Sequence, residues 1–254
     1  MNRSKKTGFS AALCVLLSTQ NVAAQEDIRP AIHLGFQAQD VQQSVESDPL
    51  LYPNFSFSME HTYFDLQMES MMLVVLADGI ISVIKYLAGG SDKIILFEAL
   101  NPRDPARIPL FDFRGRYNFY QKDRLTIGAG PGIEYALHTY YAPERDNFTA
   151  FNADVNVALR VNWDDTDLLW MAKVGNGWTD YASLNPLIGT TFRVRQRMYG
   201  PLWVYGRANY GTQRFDNSGW TEPFINSGVD PEQARFVEWV QLYGGEVGIA
   251  LVFD

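Results

Sequence analysis

The sequence predicts an all-β protein, a closed, antiparallel, up-and-down transmembrane β-barrel of twelve strands. Three observations carry that expectation. Apolar and polar residues alternate with a period of two through long runs, several runs reach twelve residues or more, and short connections alternate with long ones. Successive side chains of a strand point to opposite faces, so period-two alternation gives a strand two chemically distinct sides. Soluble strands average about 5–6 residues, whereas a strand that crosses a bilayer needs about 9–11.

The N-terminus sets the compartment. Arg3, Lys5 and Lys6 precede an apolar stretch from Ala11 to Leu17, and Val22-Ala23-Ala24 forms a small-residue pattern before Gln25. Basic, apolar and small-residue zones in that order read as a secretory signal peptide. Residues 1–24 are therefore expected to be removed, leaving residues 25–254 as one barrel domain. Cleavage would take Cys14, the one cysteine, and with it any disulfide, thiol nucleophile or cysteine metal site. It would also remove three positive charges and no negative ones, moving the net charge from -8 to about -11. An acidic chain with no Lys/Arg run is a poor nucleic-acid binder, so no such partner is expected.

The elements follow in order. Residues 31–39, 53–60 and 63–70 alternate, with a tight connection at Glu60–Tyr63. The stretch 71–107 breaks the rhythm. Met71 to Ala77 is continuously apolar, and Ile80, Val83, Ile84 and Leu87 then fall at helical spacing before Gly89-Gly90. One reading is an amphipathic helix over about 78–88, with Asp78 as N-cap and Gly89 as stop, inserted in a ten-stranded barrel. The other takes 79–87 and 92–100 as two more strands turning at Asp78-Gly79. The strand composition of Ile94-Ile95-Leu96-Phe97 favours the second, hence twelve.

Beyond it the alternation is stronger. In 108–121, Phe111, Phe113, Tyr117 and Phe119 oppose Asp112, Arg114, Arg116 and Asn118. In 124–138, Leu125, Ile127, Ile133, Tyr135 and Leu137 oppose Thr126, Gly128, Gly130, Gly132, Glu134 and His138, with Pro131 marking a bend or bulge on the apolar side. In 149–163, Phe151, Val155, Val157, Leu159 and Trp163 oppose Asn152, Asp154, Asn156 and Arg160. After 168–178, which carries Lys173, the phase switches. In 186–197 the even positions are apolar and Arg193, Arg195 and Arg197 occupy the odd ones. Residues 202–213 carry Arg207, and 236–253 set Trp239, Tyr243, Val247, Ile249, Leu251 and Phe253 against Gly244, Glu246, Gly248 and Ala250.

Charges in mid-strand decide between a soluble sandwich and a membrane barrel. A dry sandwich core has no place for Arg114, Asp154, Arg160 or Glu246, and the opposite aromatic face would be an unusual one to show water. A barrel in lipid turns the apolar side out and the charged side in. The lumen-lining charged set is then Asp112, Arg114, Arg116, Glu134, Asp154, Arg160, Lys173, Arg193, Arg195, Arg207 and Glu246. Aromatic residues gather at membrane interfaces. Phe119, Trp163 and Phe253 are expected at the short-turn end and Trp178, Tyr210 and Trp239 at the long-loop end.

Over nearly all of the mature chain this layout resembles Gram-negative outer-membrane β-barrel proteins. Their last strand usually ends in an aromatic residue read by the assembly machinery, whereas here Phe253 is penultimate and Asp254 terminal. Tyr52-Pro53-Asn54-Phe55-Ser56-Phe57 followed by Tyr63-Phe64-Asp65-Leu66 is similar in rhythm to the early hairpin of the MipA/OmpV family. The resemblance implies an outer-membrane location. The implied partners are outer-membrane lipid, lipopolysaccharide, the barrel assembly machinery and an envelope protein.

Few residues suggest chemistry. His33, His61 and His138 form no metal-ligand spacing, and no cofactor or metal site is expected. His138, near Glu134, Glu144 and Asp146, could serve a rim-active enzyme on lipid or peptide as a general base, or be an ordinary polar rim residue. Gly128-Ala129-Gly130-Pro131-Gly132 lacks the Lys-Ser/Thr of a phosphate loop and reads as a strand whose small inward residues make room for bulky ones. Lumen charges can pair with one another and plug the barrel. Alternatively their Arg and Lys excess can give a small-solute channel a mild anion preference. The leading expectation is a non-enzymatic barrel with a structural, scaffolding or interaction role in the envelope.

Overall fold

A computed structural model describes residues 28–42, 50–71, 107–138, 148–178, 183–216 and 237–253. They form ten strands: β1 Arg29–Gln42, β2 Leu50–Glu60, β3 Phe64–Glu69, β4 Arg107–Lys122, β5 Leu125–His138, β6 Phe148–Trp163, β7 Thr166–Trp178, β8 Ser183–Tyr199, β9 Leu202–Asp216 and β10 Val237–Val252. Each pairs antiparallel with its sequence neighbour, and β1 pairs with β10 from Ala31↔Val252 to Gln42↔Gln241, so the sheet closes on itself. Pairing of β1 with β10 leaves the sheet no terminal strand, which is what permits it to stand without a covering layer.

The barrel has ten strands where twelve were expected. β3 pairs directly with β4, from Phe64↔Tyr117 to Glu69↔Asp112, and the ten strands complete the cylinder. The wall therefore has no position for two further strands between them. The count of twelve rested on local strand composition, which reports what a segment tolerates, whereas membership of a sheet depends on a free neighbour to pair with. Both readings of 78–100 concern residues outside the described ones, as does the signal peptide at 1–24.

The inside-out pattern follows from the alternation. Outward positions carry Leu34, Phe36, Phe113, Tyr117, Val155, Val157, Trp170, Val174, Ile188, Phe192, Val247 and Ile249, all exposed. Among the described strands, outward charges occur only near strand ends, at Asp40, Lys122, Arg214 and Asp216. The inward set is polar or charged, with small apolar clusters at either end. Ala31, Trp203, Tyr205, Ala250 and Val252 pack near the short turns, and Tyr52, Met71 and Ile108 near the opposite end.

Turns position the layers. Connections at 61–63, 123–124, 164–165 and 200–201 are tight and lie at one end. Two of them use the left-handed backbone, at Asp123 (φ 51°) and Gly200 (φ 52°). Asp and Gly are residues that reach this region at low cost. Both chain ends meet that same end: Phe253 N–H donates to Pro30 O at 2.9 Å, and Arg29 pairs with Glu60. The β4–β5 register is the same on either side of Pro131, and its shifts fall between Pro109 and Phe111 and between Asn118 and Tyr120.

Candidate functional site

The interior charges form three layers along the lumen. Nearest the short turns, Glu60, Asp65 and Asp167 face Arg116, Arg160, Arg193 and Arg195. Arg195 bonds Asp167 and reaches Glu60 at 2.6 Å, while Arg193 donates to Glu60 at 3.2 Å. Arg160 donates to Asp65 at 3.0 Å and lies 3.5 Å from Glu60. Arg116 stands 3.9 Å from Asp65, and Asn118 donates to Asp65 at 3.2 Å. In the middle, Arg207 sits between Glu69 (2.6 Å) and Glu246, which also accepts from Tyr205. Asn54 joins the two carboxylates, donating to Glu69 at 3.0 Å and to Glu246 at 3.1 Å.

Toward the long-loop end, Arg107, Arg114 and Lys173 meet Asp112, Glu134 and Asp154. Arg107–Glu134 and Arg114–Asp112 are both 2.5 Å, Arg114–Asp154 is 3.7 Å and Lys173–Glu134 is 3.7 Å. Asn152 donates to Glu134 at 3.2 Å and accepts from Gln213 at 3.1 Å.

These bonds run across the lumen as well as along its wall. Glu60 on β2 and Arg195 on β8 are four strands apart around the sheet, as are Glu69 on β3 and Arg207 on β9. Asp65 on β3 and Arg160 on β6 are three apart. Long guanidinium side chains are what make such spans possible. An eight-stranded barrel is filled by ordinary side chains, and a ten-stranded one is wider.

Glycines opposite the charges supply their room. A Cβ on Gly132 would stand 2.5 Å from Asp154 Oδ1, its cross-strand neighbour, and one on Gly189 would stand 3.0 Å from the Lys173 Cε.

All eleven charged residues assigned to the lumen from sequence are interior and belong to this network, with Lys173 and Arg207 slightly less covered than the rest. Five partners were missed: Glu60, Asp65, Glu69, Arg107 and Asp167. The signal for most was present. Asn54, Ser56, Ser58 and Glu60 share one parity, as do Asp65, Gln67 and Glu69. These runs are short, and Met59 and Met68 blur their apolar side less than the brevity does. The omission matters for charge. The sequence set carries seven cations against four carboxylates, whereas the network holds eight against eight. Within this network the charges balance, and Arg29 and Arg197 also lie inside, about the Trp203 ring.

Trp203 was also missed. It is an inward aromatic, 2% exposed, with the guanidinium carbons of Arg195 and Arg197 each 5.9 Å from its ring centre. Ala31 and Ala250 beside it are small enough to admit the indole.

Phe119, Trp163, Trp178, Trp239, Tyr210 and Phe253 all face outward and are exposed. Phe119, Trp163 and Phe253 lie near the short turns, Trp178 ends β7 and Trp239 opens β10. Tyr210 sits farther in, eight residues from Leu202 and six from Asp216, packed against Tyr243 at 5.2 Å. His138 is fully buried, opposite Arg107 and Phe148 in register. A general base open to substrate would need the solvent contact that it lacks. Glu144 and Asp146 lie outside the described residues. Among the described residues no group of three or more His, Cys, Asp or Glu is placed to hold a metal ion.

No family model matches the chain, and no curated protein matches it. Among solved structures, the outer membrane protease OmpT from Escherichia coli is similar at 8% identity with a TM-score of 0.45. That alignment covers 93% of this chain and 99% of the protease. Neisserial surface protein A is similar at 8% identity with a TM-score of 0.34, over 88% of this chain and 97% of that one. At these scores neither likeness carries a functional argument.

Proposed function

We propose that this chain is an exported outer-membrane barrel with a closed lumen and a non-enzymatic structural, scaffolding or interaction role in the bacterial envelope. The membrane reading is supported by a wall with no outward charge between the strand ends and by strands of 11–17 residues, β3 excepted. Export is supported by the signal-peptide pattern of residues 1–24.

One observation carries the closed lumen: in the layer near the short turns Glu60 reaches Arg160, Arg193 and Arg195 and Asp65 reaches Arg160 across the barrel, between strands three and four places apart. A through-channel would have to part these buried pairs, and separating a buried ion from its partner costs several kcal/mol (about 3–5). Trp203 closes the same end from below.

The test is electrical. The purified, refolded mature protein is added to planar bilayers, and insertion is verified independently by protease protection. The expected record is inserted protein without steady conductance. Stable ohmic channels in every insertion would overturn the closed reading and revive the small-solute channel. Recovery of the protein in the soluble fraction, with no heat-dependent shift in gel migration, would overturn the membrane reading itself.

A further inference from the structure

Between the Arg207 layer and the long-loop end the lumen holds a cavity of about 80 Å³, lined among others by Asp112, Lys173, Gln67 and Asn209. One water needs about 10–15 Å³, so the space admits several waters or a solute of a few heavy atoms. Its floor is the Arg207–Glu69 pair.

Most charges in its wall are already matched. Arg107 holds Glu134 at 2.5 Å, and Arg207 holds Glu69 at 2.6 Å. Two groups are not. Asp112 is 6% exposed and uses one carboxylate oxygen on Arg114, while its other oxygen, Oδ1, has no hydrogen-bond partner among the described residues. The Lys173 ammonium has three N–H donors, and its one ion-pair partner is Glu134 at 3.7 Å, a carboxylate that Arg107 already occupies. Gly189, under the Lys173 stem, gives that side chain its path into the lumen.

A buried acceptor left unbonded is costly unless something enters to satisfy it, and the partly covered Lys173 ammonium has donors to spare for the same molecule. A simple anion would suit Lys173 and be repelled by Asp112, and a simple cation the reverse. A molecule with both charges matches both.

We propose that this cavity is a binding cup for a small zwitterion of the α-amino-acid type, its carboxylate against Lys173 and its ammonium against Asp112. The inference goes beyond the closed-barrel reading, since a cup floored by Arg207 needs no passage through the lumen.

The experiment uses glycine as the probe, titrated by calorimetry into the refolded full-length mature protein in detergent, with acetate and methylammonium titrated in parallel. Saturable glycine binding is expected at millimolar concentration, with acetate and methylammonium each at least ~10-fold weaker. Asp112→Asn and Lys173→Met should each weaken glycine by about 10-fold or more. Heat-modifiable gel migration verifies that each variant is folded. If either variant fails to fold, Gly189→Ala displaces the Lys173 stem without changing charge and should weaken glycine in the same direction. Absence of saturable glycine binding overturns the proposal. So does acetate or methylammonium binding as tightly as glycine, or glycine binding untouched by the folded variants.

Discussion

Glu60 shows how much one side chain holds together in this lumen. It is the last residue of β2, buried, and its carboxylate lies within 4 Å of Arg160, Arg193 and Arg195. Glu60→Ala would leave four guanidinium groups facing two carboxylates in a place from which water is largely excluded. The expected loss is about 3–5 kcal/mol of stability, read as a lower urea midpoint for unfolding from lipid vesicles. Arg214, paired with Asp216 at 3.2 Å but 39% exposed at its side chain, is the contrast. Arg214→Ala should cost no more than about 1 kcal/mol, because water screens the pair and hydrates what is left. Equal losses from the two substitutions would mean that the lumen is wet and its ion pairs weak.

β6 is the element on which the membrane reading can be measured most directly. Its outward residues from Phe151 to Trp163 are apolar, while Asn152, Asp154, Asn156 and Arg160 point inward. Val155, near the middle of the strand, is 59% exposed on the outer wall. Val155→Arg should cost about 2–4 kcal/mol, the penalty for a cation facing the bilayer midplane. Val161→Arg, close to the 164–165 turn, should cost about 0–1 kcal/mol, since the side chain can reach the interface. A soluble barrel would gain solubility from both and lose stability in neither. β6 was legible in sequence because its alternation runs unbroken for more than a dozen residues. β3 is six residues long, and nothing local to it announces that β4 is its neighbour.

Across the whole molecule, the arrangement of polar inside and apolar outside predicts opposite behaviour for two tryptophans two strands apart. Trp170 on β7 is 45% exposed and outward, whereas Trp203 on β9 is 2% exposed and inward. Single-tryptophan variants retaining one or the other, with the other five of the six replaced by Phe, are refolded into vesicles containing bromine-labelled lipid. Trp170 emission should be strongly quenched and Trp203 emission scarcely changed. Quenching of Trp203 as deep as that of Trp170 would invert the assignment of faces. The same global view explains why partners were missed: Asp65 and Asp167 meet Arg116 and Arg195 across neighbouring strands, but Glu60 and Glu69 reach Arg195 and Arg207 only across the closed barrel.

By itself the sequence determined which face of each long strand is apolar, because period-two alternation is a local property written in consecutive side chains. It likewise marked the tight turns and hence the up-and-down order. Strand number and the identity of cross-lumen partners were decided only by tertiary structure. Closure and pairing are set by which distant residues the curvature of the sheet brings within bonding distance, and no local pattern encodes that separation.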